Sequence, residues 1–306
     1  MLSSLILAAA RNGTVKKAVA GAPISRNVVR RFVAGESAEE VLVACARLVG
    51  QGLQVSLDHL GEDTNDAVQA RTVAQAYAAL LERLAAEGLT PQAEVSVKLS
   101  AVGQLIDEKM ALGLAQEIGE AAVQAGTTVT LDMEDHTTTD STLEILGELR
   151  RDFPATGAVL QAYLRRTEAD CRDLAHSGSR VRLCKGAYAE PETVAFQEAA
   201  EVDKSYVRCI NLLMAGEGYP MFATHDPRLV GIAGERAAWF GRPKQTWEYQ
   251  MLYGIRPEEQ LRLASAGHTV RVYVPYGVEW FGYLMRRLAE RPANVTFFLR
   301  ALASRN

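Results

Sequence analysis

The sequence predicts a (βα)8 TIM barrel, and three observations carry that prediction. From residue 53 onward, short β-branched or apolar runs alternate with amphipathic stretches, eight pairs in series. The chain has 306 residues, long for one ordinary domain but normal for a barrel of this kind. A doubly wound sheet would place a glycine-rich turn between its first strand and helix. Here Gly50-Gln-Gly-Leu-Gln-Val precedes a strand and lacks a third glycine, and no GxxxxGK run exists.

The elements follow from periodicity. Residues 1–50 read as an N-terminal helical segment, with Leu2, Leu5, Ile6 and Ala9 on one stripe and Val41, Leu42, Cys45 and Leu48 on another. The barrel is expected over 51–306. Its strands are predicted at 53–59, 94–99, 128–132, 158–163, 180–184, 219–223, 246–251 and 268–274, each a short β-branched or apolar run. Its helices are predicted at 64–87, 107–125, 139–151, 167–176, 196–215, 227–240, 257–266 and 278–291. Thr167 with Asp170 has the spacing of a capping box, and Pro257 is placed to open a helix.

Composition narrows the function. The net charge is −4 with no basic run, which argues against a nucleic-acid partner. Cys45, Cys171, Cys184 and Cys209 are widely spaced in apolar segments, as expected of free thiols in a reducing compartment. The apolar N-terminal run lacks a positive leader and is short, and no stretch approaches the ~20 residues a membrane span needs. A cytoplasmic protein is expected.

In such barrels chemistry gathers where the strands end. Here the predicted strand ends carry Asp58 and His59, Lys98, Asp132 and Glu134, Gln161, Arg182 and Lys185, Thr224, His225 and Asp226, and Tyr273. Period two places Ser96 with Lys98, Asp132 with Glu134, and Arg180 with Arg182. The last helix adds Tyr283, Arg286, Arg287 and Glu290 on one face, with Phe281, Leu284 and Leu288 on another. Adjacent guanidiniums beside an aromatic ring suit bidentate capture of a small carboxylate. A solvated face on which Arg286 pairs with Glu290 is the plainer alternative. Lys98, Arg182, Lys185, Arg286 and Arg287 outnumber Asp132 and Glu134, so the pocket should be cationic and its ligands anionic: a carboxylate and a phosphorylated cofactor. The run Asp132–His136 is too tight to project several metal ligands from one face, so no metal is expected. No nucleophile–histidine arrangement stands at a recognisable spacing. A Schiff-base role for Lys98 is a competing reading and requires a lowered pKa. A non-catalytic binding regulator is a third.

Taken together, eight motifs identify a resemblance. They are Val95-Ser-Val-Lys-Leu-Ser-Ala, Leu131-Asp-Met-Glu-Asp, Leu160-Gln-Ala-Tyr-Leu-Arg-Arg-Thr, Val181-Arg-Leu-Cys-Lys-Gly-Ala-Tyr, Phe222-Ala-Thr-His-Asp, Glu248-Tyr-Gln-Met-Leu-Tyr-Gly, Arg271-Val-Tyr-Val-Pro-Tyr-Gly and Tyr283-Leu-Met-Arg-Arg-Leu. In this order and spacing, over roughly residues 50–300, the chain resembles the monofunctional bacterial proline dehydrogenases. The resemblance implies a distorted barrel with its last helix over the mouth, and FAD-dependent oxidation of L-proline to Δ1-pyrroline-5-carboxylate. Hydride would pass to flavin N5 and electrons to a quinone. It implies that Lys98, Arg286 and Arg287 bind the proline carboxylate, and that Tyr188, Leu252, Tyr273 and Tyr283 wall the proline ring. Arg182 would sit against flavin N5, with Gln161, Lys185, Gly186, Ala187, Thr224 and His225 along the rest of the flavin. Asp132 would tune the charge of Lys98 and the arginines. Glu62 would act as a gate by pairing with Arg286 in the empty site, and Glu290 would steady an arginine. Tyr283 favours proline over hydroxyproline. Quinone reduction implies transient membrane contact, for which the N-terminal helix is a candidate, although packing against the barrel is the simpler expectation. Tyr253 and Tyr276 depart from the family pattern: bifunctional relatives often carry histidine at the first, and a smaller residue is common at the second.

Overall fold

The computed structural model describes residues 29–290, with side chains through 287. The predicted stripe through Leu2, Leu5, Ile6 and Ala9 therefore lies outside the described residues, as does the side chain of Glu290.

Helix α1 (Ala38–Gly50) starts where Ser37 accepts a hydrogen bond from the Glu40 N–H, and it buries Val41, Leu42, Cys45 and Leu48. Strands β1 (Gln54–His59), β2 (Ala93–Val97), β3 (Val129–Leu131), β4 (Gly157–Gln161), β5 (Arg180–Cys184), β6 (Tyr219–Ala223), β7 (Glu248–Leu252) and β8 (Thr269–Tyr276) follow. They form a closed parallel barrel in sequence order, with β8 pairing back onto β1. After the strands, in turn, come α2 (Ala67–Ala86), α3 (Glu108–Gln124), α4 (Thr139–Asp152), α5 (Thr167–Leu174), α6 (Ala199–Ala215), α7 (Pro227–Trp239), α8 (Pro257–Ser265) and α9 (Trp280–Glu290).

The two faces of each strand differ in chemistry. Val55, Leu57, Val95, Val97, Leu160, Leu183, Phe222, Val270 and Val272 face outward and are buried with Leu80, Leu84, Ile118, Leu149 and Ile210 of the helices. Removing each such side chain from water contributes roughly 1.5–3 kcal/mol, so this shell is the main source of cohesion. The alternate residues face the barrel interior, and there the chain places charge. Register fixes which residues meet: Asp58 lies beside Ser96, Ser96 beside Thr130, and Gly157 beside both Thr130 and Arg180. A Cβ on Gly157 would come within 2.5 Å of the Thr130 hydroxyl, so only glycine leaves room there.

Aspartates cap the helices that follow β1, β2 and β6: Asp66, Asp107 and Asp226 each accept from a first-turn N–H. Pro257 opens α8 as predicted. The capping box at Thr167 does not form. Arg166 occupies the cap position, the Thr167 hydroxyl donates to the Gln161 carbonyl, and Asp170 takes the Arg166 guanidinium. Strand β2 also ends earlier than predicted, because Leu99–Val102 coil into a 3-10 turn that starts at Lys98.

Candidate active site

The predicted site residues converge. Lys98, Asp132, Gln161, Arg182, Lys185, Gly186, Ala187, Tyr188, Thr224, His225, Leu252, Tyr273, Tyr283, Arg286 and Arg287 all line one cavity of about 610 Å3. They come from strands β4, β5, β7 and β8, from the segments just after β2, β3, β5 and β6, and from α9. Glu62, in the segment between β1 and α2, joins the site through Arg286.

Lys98 sits at the end of β2 with its ammonium 2.8 and 2.9 Å from the two Asp58 oxygens and 3.4 Å from Asp132 Oδ2. Burial pulls its pKa down, but Asp58, Asp132 and Glu62 outweigh burial and hold it well above the ordinary lysine value. A Schiff-base lysine needs the opposite shift, so the geometry opposes that competing reading. Arg182, inside β5, donates to Asp132 Oδ1 at 2.8 Å, to Ser96 Oγ at 2.9 Å and to Ser56 Oγ at 3.1 Å. Its carbon Cζ stands 5.3 Å from the Tyr273 ring centre. Tyr273 in turn donates to Asp132 Oδ2 at 2.6 Å. Asp132 is thus the hub for Lys98, Arg182, Ser96 and Tyr273. Burial raises its pKa, but the two cations and the hydrogen bonds reverse this and hold it below the ordinary aspartate value.

The last helix contributes differently. Phe281 and Leu284 are buried as predicted, and Tyr283 and Arg287 are buried with them. Arg287 stacks over the Tyr283 ring at 5.1 Å. Arg286 donates to the Glu62 carboxylate at 2.6 and 3.4 Å, the pairing expected of a gate, rather than presenting a solvated face.

Around the rest of the cavity, His225 Nε2 accepts the Leu252 N–H at 2.8 Å, which puts the ring proton on Nδ1. Thr224 Oγ1 accepts the Asp226 N–H at 3.1 Å. Lys185 is held by Asp203 at 2.6 Å and Asp226 at 3.3 Å. Gly186 has φ +112, and a Cβ there would meet the Tyr163 ring at 2.4 Å, so the turn after β5 requires glycine. The Gln161 amide donates to the Glu134 carbonyl at 2.6 Å.

Two expectations need correction. Asp132 and Glu134 do not share a face, because β3 ends at Leu131 and the alternation lapses. Glu134 accepts from the Ser100 N–H at 3.1 Å and its hydroxyl at 2.6 Å, and it does not line the cavity. Asp135 caps the next turn, and His136 pairs with Glu190, so the four ionisable residues of that run turn to different partners. The excess of cations is also smaller than predicted, since Lys98, Arg182, Lys185 and Arg286 each lie within 3.4 Å of a carboxylate. Sequence reasoning placed Asp58 at a strand end but gave it no role at the site. The signal was its inward position one residue before the end of β1, in register with Ser96, two residues before Lys98. Of the two departures, Tyr276 packs on His59 at 5.1 Å between ring centres, and Tyr253 takes the Arg47 guanidinium at 3.2 Å outside the cavity lining.

Comparison with known proteins gives the family. The model of the family described as proline dehydrogenase matches residues 41–300. Proline dehydrogenase 1 of Bacillus subtilis is 38% identical over 302 residues, covering 99% of each chain. The Deinococcus radiodurans proline dehydrogenase is 40% identical over 281 residues and 90% of each. Among solved structures, proline utilization A from Bdellovibrio bacteriovorus, inactivated by N-propargylglycine, superposes with a TM-score of 0.80 at 27% identity. That match covers 86% of this chain, which spans about a third (32%) of the larger protein. Both fold and sequence lead to one conclusion: the chain belongs to the proline dehydrogenase family.

Proposed function

We propose that the chain oxidises L-proline to Δ1-pyrroline-5-carboxylate with bound FAD, hydride passing from proline C5 to flavin N5 and electrons onward to a quinone. The observation that carries the reading is the meeting of Lys98, Arg286 and Arg287 in the same cavity as Arg182. The first three would bind the carboxylate, with Leu252, Tyr188, Tyr273 and Tyr283 walling the ring. The residues present fit a flavin. Arg182 Nε is buried without a hydrogen-bond partner among the described residues, as suits a group facing a ring nitrogen. Lys185, Gly186, Ala187, Thr224, His225 and Gln161 would hold the remainder, Lys185 supplying charge for the phosphates.

When bound, a flavin supplies the two-electron acceptor that no side chain can provide. The protein's part is position and charge. Asp58 holds Lys98 with both oxygens, and Asp132 is shared among Lys98, Arg182 and Tyr273. These carboxylates are committed to cations, so proline must enter with its amine neutral. Lys98 stays protonated and acts as an anchor for the carboxylate. Arg286 exchanges Glu62 for the substrate, and Asp132 keeps the remaining cations aligned. Tyr283 on α9 selects proline over hydroxyproline by filling the space a ring hydroxyl would need.

An anaerobic titration tests the whole reading. The purified protein should carry a flavin band near ~450 nm that bleaches with L-proline and recovers with a soluble ubiquinone analogue. A flavin band that hydroxyproline bleaches and proline does not would overturn the substrate assignment. A colourless protein that takes up no added FAD would overturn the cofactor.

A further inference from the structure

The interiors of such barrels are usually filled with bulky apolar side chains. Below Arg182, toward the strand starts, this barrel instead buries a second layer of charge. Glu94 of β2 is 1% exposed and accepts from Arg180 Nη2 of β5 at 2.7 Å. The Thr130 hydroxyl donates to it at 3.0 Å. Arg182 Nη2 lies 3.8 Å from Glu94 Oε1 and Arg271 Nε 3.7 Å from it. Ser56 links the layers, since its hydroxyl donates to Glu94 Oε1 at 3.4 Å and accepts from Arg182 Nη2 at 3.1 Å. Arg271 has its own counter-ion in Glu248, at 2.7 and 3.2 Å. Burial pushes the Glu94 carboxyl up, but Arg180, Arg271 and Arg182 overcome this and hold it at about 2, so it is a fixed anion.

The carboxylate-binding cations do not touch this layer, and nothing in the proposed reaction uses it. A buried carboxylate paired with a half-buried guanidinium, as Glu94 is with Arg180, is costly to keep and adds little net stability over apolar residues of the same size. What the pair does supply is a fixed field in a medium of low dielectric, directly beneath the guanidinium assigned to the acceptor. An anion near an electron acceptor opposes its reduction, and a cation favours it.

We propose that Glu94 and Arg180 are an opposed pair of positioning residues that act through Arg182 on the reduction potential of the bound flavin, Glu94 lowering it and Arg180 raising it. The inference rests on the flavin reading above. The pair leaves the net charge beneath Arg182 unchanged while placing its anion on Ser56 and Arg182 and its cation farther away. Glu94 therefore steadies the Arg182 fork from below as Asp132 does from above.

Potentials of the FAD-loaded protein, measured by anaerobic spectroelectrochemistry, test it. Glu94→Gln should shift the potential positive and Arg180→Gln should shift it negative. The charge-neutral double variant, Glu94→Gln with Arg180→Gln, should return close to the wild-type value. Arg180→Lys keeps the charge and should leave the potential nearly unmoved. A purely structural role predicts single variants with unchanged potentials, or shifts in the same direction, and either result overturns the inference. If the single variants do not fold, a double variant shifted far from wild type, or an Arg180→Lys variant so shifted, overturns it as well. A wild-type protein that binds no flavin removes the functional reading first, whereas flavin-loaded variants with unmoved potentials remove this inference alone.

Discussion

The cations of the site fall into two groups that the protein treats differently. Lys98 and Arg182 are rooted at strands of the barrel, buried, and locked to Asp58 and Asp132 by hydrogen bonds of 2.8 Å. Arg286 and Arg287 ride on α9, outside the barrel wall, and Arg286 holds a carboxylate from a connecting segment rather than from a strand. Strand-borne charges cannot change partners without opening the core, because a buried ion stripped of its counter-ion costs several kcal/mol. A helix-borne arginine can exchange Glu62 for another carboxylate at little cost. In the proposed reaction the strands set the field, and the helix catches the substrate.

The contrast is broken most directly at Lys98. Lys98→Met leaves Asp58 and Asp132 buried against each other, and should cost about 3–5 kcal/mol of unfolding free energy in urea as well as turnover. A loss below about 1 kcal/mol would mean that Asp58 does not depend on Lys98. For the helix group, Arg286→Met and Arg287→Met should raise the proline KM roughly 10- to 1000-fold, at about 1.4 kcal/mol per decade. Arg286→Met should also stay within about 1 kcal/mol of wild type in urea. Unaltered proline binding in both would dissolve the clamp.

Glu134 sharpens the same distinction, being a buried carboxyl held by Ser100 and not by a bonded cation. Burial raises its pKa from the ordinary 4.5 to about 7. Between these values the folded protein binds the proton more tightly than the unfolded chain, so stability should fall as pH rises through that window, by up to about 3 kcal/mol. Glu134→Gln should flatten the slope between pH 5 and 8 in urea unfolding; an identical slope would assign it elsewhere. The smallest effect belongs to Glu62→Gln. Relieved of its competitor, Arg286 should bind proline with a KM lower by about 2- to 5-fold, a change below about 1 kcal/mol. A rise in KM would make Glu62 a support and not a gate.

The barrel was legible in the sequence because eight short apolar or β-branched runs alternate with stretches of helical period. Strand ends were less legible. The alternation that joined Ser96 to Lys98 held one residue beyond β2, whereas the one that joined Asp132 to Glu134 failed past β3, where the chain turns so that Glu134 meets Ser100. Local chemistry also misled at Thr167, whose hydroxyl has a better acceptor in the Gln161 carbonyl, 2.6 Å away, than in its own helix. Arg286 and Arg287 stood out as a pair, but the carboxylate that answers Arg286 is Glu62, more than 220 positions away in sequence.

By itself the sequence determined the eight-unit barrel, the residue types at the strand ends and the paired arginines of the last helix, since each is written in local period and spacing. The tertiary structure alone decided the pairings: Asp58 on Lys98, Asp132 shared between Lys98 and Arg182, Glu62 on Arg286, and Glu94 beneath Arg182. Barrel closure and strand register bring together residues remote in sequence, and a charge's partner, hence its pKa and its role, is a property of distance in space.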